Sequence, residues 1–166
     1  MTLMLPFMLE KGFTVDMYGY AMSAETFASL VAVVLLGIIK LKARARYLAM
    51  AVGFISTVFL STGAYLAGSF PLVTALLFLN SFMNMLANSV FNASLMLALP
   101  EENRGAILGF VSAFSTGGCA LSAVIFGVLG DLFPLYIVFA LGSAISLAPM
   151  LYMCLSRRTK DFVLNH

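Results

Sequence analysis

PLVTALLFLNSFMNMLANSVFNASLMLAL, residues 71–99, runs for 29 residues without one charged side chain. A bilayer's hydrocarbon core is about 30 Å thick and takes about 20 apolar residues in helix to cross. The stretch exceeds that length, and so predicts a spanning helix that tilts or protrudes on one side. Barrel strands would alternate apolar and polar residues, and this run does not. Helix is also the open-chain conformation that satisfies its own backbone polar groups in lipid.

Four further runs flank it: Met17–Ile39 and Leu48–Gly68 before, Gly105–Gly130 and Leu132–Leu155 after. Short breaks separate them. Lys40, Lys42, Arg44 and Arg46 fill the first, Ser69 to Pro71 the second, Pro100 to Arg104 the third, and Asp131 with Pro134 the last. The expected fold is all-α, a polytopic transmembrane bundle of about five spans (17–39, 48–68, 71–99, 105–130, 132–155). Glu101 and Glu102, after Pro100, are expected in the first turn of their helix, where acids suit the dipole. Gly63 and Pro149 are expected kink sites. Residues 1–16 read as a truncated helix end and an outer loop, because Met1–Leu9 is apolar but too short to cross. A short interfacial segment is the other reading. Residues 156–166 read as a tail.

Composition agrees. Of 166 residues 62% are hydrophobic and 10% charged, with mean hydropathy +1.05. Soluble domains average roughly 45–50% apolar and about 25% charged residues. A net charge of +2 with no basic-aromatic stripe gives no footprint for nucleic acid. Cys119 and Cys154 lie in apolar runs and read as small packing residues. The single histidine, His166, is terminal, so no metal site and no cofactor is expected. No Ser/His/Asp set, zinc motif or phosphate-binding glycine loop is present, and the chain reads as a non-enzyme.

Charge sorting gives an orientation. Eight of the nine Lys and Arg residues (four in 40–46, Arg104, and Arg157, Arg158 and Lys160) fall on one face if there are five spans. The positive-inside rule puts that face and the C-terminus in the cytoplasm, and the N-terminus with Lys11 outside. A multi-pass protein of the plasma (inner) membrane is the expectation.

Pro100-Glu-Glu-Asn-Arg104-Gly105 sits between two long apolar runs and opens a glycine-rich helix that closes in Gly127-Val-Leu-Gly130-Asp131. This resembles the P-x-x-x-R-G-like turn that enters helix eleven of major facilitator superfamily transporters. Leu5-Pro6-Phe7 and Tyr18-Gly19-Tyr20 also look like that family. The resemblance implies that the five spans match helices eight to twelve and that Met1–Leu9 matches the end of helix seven. It covers nearly the whole chain, on short and permissive motifs. The basic loop from Gly37 to Arg46 echoes the family's G-x-x-x-D-R/K-x-G-R-R pattern. It departs from it at Leu41, where an acid is usual, and at Arg44, which replaces the second glycine. Topology alone also explains the basic residues.

Two features point to a path for cargo. Asn80, Asn84, Asn88 and Asn92 recur every four residues, so they wind slowly along one stripe, advancing roughly 40° per step. Amides facing lipid are costly, and the stripe should face protein or a wet cavity. Interhelical hydrogen bonding is the plainer alternative. Ser81 and Thr74 fall near the same sector. The sequon Asn92-Ala-Ser94 lies inside a span and is an implausible glycosylation site. Glu25, in the outer third of the first span, is the acid expected to couple protons or recognise a cation, unless it merely sits at the bundle mouth. Gly105, Gly109, Ala113 and Gly117 form a smooth strip suited to close helix packing.

The resemblance implies part of a secondary active exporter of small amphipathic molecules, in the manner of the drug and macrolide-efflux group, working by alternating access. It further implies a missing half and no transport by this chain alone; a truncated gene product, a mis-called start and a half that pairs with a partner chain are the open readings. A small membrane scaffold protein and an oligomeric channel subunit are the alternatives.

Overall fold

The structure, a computed structural model, describes residues 4–39 and 43–155. Among these residues the chain is all-helical: α1 (Met4–Glu10), α2 (Val15–Ile38), α3 (Ala43–Leu66), α4 (Phe70–Ala98), α5 (Arg104–Leu132) and α6 (Leu135–Leu155). Four of them (α2, α3, α4 and α5) are long and apolar enough to cross a bilayer. The 21-residue α6 occupies the fifth expected span. Lys40, Lys42 and the tail from residue 156 bear on expectations that lie outside what is described, as do the side chains of Arg44, Pro149 and Cys154.

Local chemistry sets the helix ends. Gly12, at φ 80°, turns the chain from α1 toward α2, a left-handed conformation that glycine adopts freely. Thr14 then caps α2, its hydroxyl accepting from the Met17 amide at 3.4 Å. Ser69 precedes α4, and Pro71 stands in its first turn, where a missing N–H does no harm. One expectation is corrected at α5. This helix begins at Arg104 and has no acid in its first turn; Glu101 and Glu102 lie in the turn before it. The Arg104 guanidinium donates to the Leu99 carbonyl at 3.1 Å, bridging the ends of α4 and α5. That bond gives the Pro100–Gly105 motif a structural role.

α4 is the axis of the bundle, with α2 and α3 both packed along it. The closest approach lies between α3 and α4. A Cβ built on Gly53 would stand 2.8 Å from both the Ala87 Cβ and the Met83 carbonyl oxygen. Two apolar clusters hold the ends. Phe7, Met8, Ala21, Ala64, Val73 and Leu77 pack near α1, and Met50 with Val90 packs near the opposite end. Gly63 is ordinary by comparison, its nearest neighbour 3.7 Å from a built Cβ.

Lys11 fastens the α1 end. Its ammonium donates to the carbonyls of Tyr65 and Ala67, at the C-terminus of α3. It also lies 5.1 Å and 5.5 Å from the ring centroids of Phe7 and Tyr65. Carbonyls left open at a helix end, the dipole's negative pole and two ring faces all favour a cation there. Partial desolvation lowers the lysine pKa from its ordinary value, a penalty set against those contacts.

α5 stands apart. None of its described residues is buried, and it packs on α6 alone to any extent. The strip Gly105, Gly109, Ala113 and Gly117 is exposed, and a Cβ on any of its three glycines would meet nothing within 4 Å. Among the described residues the close helix contact is at Gly53, and the strip on α5 meets no other helix of this chain closely.

Gly53→Ala should destabilise the bundle by about 1–3 kcal/mol, the usual range for overpacking, as read by reversible unfolding in mixed detergent micelles. Adding Ala87→Gly should restore part of the loss, because the clash with the Met83 carbonyl persists.

Candidate functional site

Consecutive helices joined by short loops run antiparallel. The start of α2, the end of α3, the start of α4, the end of α5 and the start of α6 therefore share one end of the bundle. Glu25, Thr57, Asn80, Ser122 and Ser146 each sit about ten residues from that end, about 15 Å along the axis at 1.5 Å per residue. The five side chains line one cavity of about 670 Å³, well within the roughly 300–1,000 Å³ of small-molecule sites. They form a polar belt near the middle of an apolar bundle.

Glu25 lies near the middle of α2, which begins at Val15 after its Thr14 cap. It is 7% exposed, and its Oε2 is buried without a hydrogen-bond partner. It therefore does not sit exposed at the bundle mouth. A carboxyl at this depth is expensive unless a proton, a cation or water attends it. Among the described residues, the cavity lining contains no lysine, arginine or histidine and no second acid.

The asparagine stripe divides. Asn80 and Asn84 line the cavity beside Ser81, and the Asn80 Oδ1 is buried without a partner. Asn88 turns back on its own helix, its amide donating to the Asn84 carbonyl at 2.9 Å and to the Asn84 Oδ1 at 2.8 Å. Asn92 is exposed and lies off the cavity. Two of the four amides therefore face the space, and the third props the second. Thr74 does not line the cavity, and its hydroxyl is buried without a partner.

The hydroxyls of the belt were missed by sequence reasoning, as was the cavity role of Cys119. The thiol is free, exposed and part of the lining, so it is not the packing residue expected. Thr57, Ser61 and Ser146 donate to helix carbonyls at 2.7 Å (Phe54), 3.0 Å (Val58) and 2.8 Å (Gly142). Their protons are thus committed to the backbone, and lone pairs remain for an occupant. Apolar walls complete the space: Met4 and Phe7 from α1, Val58, Leu77, Phe126 and Val138.

An all-helical integral membrane bundle with a belted central cavity defines the class of a polytopic transport protein. The family model of the Major Facilitator Superfamily matches residues 1–163. The chain belongs to that superfamily of membrane transporters. No curated protein and no solved structure matches it significantly.

In a Cys154→Ser background, Cys119 should react with a membrane-impermeant maleimide. With both cysteines replaced, Asn84→Cys should react, and Ala87→Cys, buried against Gly53, should not. No labelling at either cavity position would mean a dry space in which the amides serve as contacts between helices.

Proposed function

We propose that this chain forms one bundle of a secondary active exporter of small amphipathic molecules, in which the cavity is alternately open to the two sides of the membrane. The observation that carries the reading is the polar belt itself. It combines a buried carboxylate oxygen and an amide oxygen, both without partners, with apolar walls toward the α1 end. Such a lining suits a molecule with a polar head and an apolar body. The alternation of occupants on Glu25, proton or cargo, supplies a means of coupling cargo to a proton gradient.

Helices α2 to α6 then correspond to helices eight to twelve of the family, and α1 to the end of helix seven. The basic residues Arg44, Arg46 and Arg104 stand at the cytoplasmic face of the plasma membrane, which turns the α1 end outward. The open strip on α5 takes the opposing bundle. Close approach there is sterically free at Gly105, Gly109 and Gly117.

Two reconstitutions test this. Purified chain in proteoliposomes with an imposed proton gradient should accumulate no amphipathic dye above empty liposomes. Co-reconstitution with an amino-terminal six-helix bundle of the same superfamily should give a flux that Glu25→Gln abolishes. Accumulation by the chain alone would overturn the two-bundle reading, and a co-reconstituted flux untouched by Glu25→Gln would overturn the coupling role.

A further inference from the structure

We infer that the cavity selects an organic cation carrying N–H donors, an amphipathic ammonium, over neutral or anionic molecules of the same shape. This rests on the proposed reading of the cavity as a cargo site and narrows the chemistry of the cargo.

Three observations converge on it. First, Glu25 is the one charged side chain among the described lining residues. Its Oε2 is buried and lacks a partner. A buried carboxylate gains most from a cation that brings its own hydrogen bonds.

Second, much of the rest of the belt accepts rather than donates. Thr57, Ser61 and Ser146 have given their protons to helix carbonyls, and the Asn80 Oδ1 is unpartnered. An ammonium has three donors and no acceptor, so it complements this arrangement. A carboxylate cargo would meet lone pairs and a like charge. A neutral amide of equal size would leave the carboxylate unanswered.

Third, the charge is single. No group of three or more metal-ligating side chains converges among the described residues. A divalent metal would find one carboxylate, whereas a monovalent organic cation needs no more. The apolar walls at Phe7, Leu77 and Phe126 then take the organic body.

The test uses three fluorescent probes with one body. Dansylcadaverine carries a primary ammonium, N-acetyl-dansylcadaverine is its neutral amide, and dansyl-6-aminohexanoate is an anion. Each is titrated into the full chain in phosphatidylcholine nanodiscs, with empty nanodiscs subtracted, and the blue shift of dansyl emission reports binding. The ammonium should bind saturably and at least tenfold more tightly than the other two. It should also protect Cys119 from a maleimide. Glu25→Gln should abolish the preference, and Glu25→Asp, which keeps the charge, should retain it, separating a lost charge from a damaged fold. Equal binding of the ammonium and its N-acetyl form overturns the inference while leaving the cavity reading intact. A preference that survives Glu25→Gln overturns it too. If no probe binds saturably or protects Cys119, the cavity reading fails, and the inference with it.

Discussion

The approach of α3 to α4 at Gly53 governs the rest of the bundle. With lipid as solvent, apolar surface gains little by leaving it, so helices associate through close fit and polar contacts. Gly53 brings the α3 backbone against Ala87 and the Met83 carbonyl with no room for a methyl group. This sets the face of α4 that α3 covers, and α2 packs along α4 as well. Asn80 and Asn84 are then turned toward Glu25 across a space that neither helix fills. The cavity is what remains when α4 is held by its flanks.

The polar residues of this protein divide into those that build and those that wait. Lys11 closes the end of α3, Arg104 bridges α4 to α5, Thr14 starts α2, and Asn88 braces Asn84. Each has found its partner. Among the cavity-lining residues Glu25 and Asn80 have buried oxygens that have not, as Thr74 and Ser94 have elsewhere in the bundle, and buried polar atoms without partners are rare in folded proteins and call for a cause. Glu25 and Asn80 both line the one cavity at about the same level of the bundle, the arrangement on which the proposed cargo site rests.

The fold class was legible because length and hydropathy carry it: runs such as 71–99 admit no other conformation in lipid. The family was legible from the turn at Pro100–Gly105. The helix starts were harder, since Thr14 and Arg104 act through single bonds whose targets, an amide and a carbonyl, have no signature in composition. The Asn stripe gave the helix that bears the site, but periodicity could not say where along it the cavity stops. It stops between Asn84 and Asn88, because the latter spends its amide on its own helix. Thr57, Ser122 and Ser146 were hidden for a related reason. Isolated hydroxyls in apolar helices commonly bond their own backbone, and only the shared level of these three, about ten residues from one end of each helix, sets them apart. Their alignment requires knowing where every helix begins or ends.

The place of α2 in chain order has a consequence for biogenesis. Glu25 is shielded by a bundle centred on α4, yet α2 emerges from the ribosome two helices before α4 does. During synthesis, the segment carrying the carboxyl must enter the bilayer before the amide that faces it exists. Insertion machinery therefore meets an acid in mid-span with its companion still to come. The apolar residues of Val31–Ile39 supply the hydrophobicity that holds the segment in place meanwhile. A bundle assembled in this order exposes this carboxyl to quality control before its companion amide is in place.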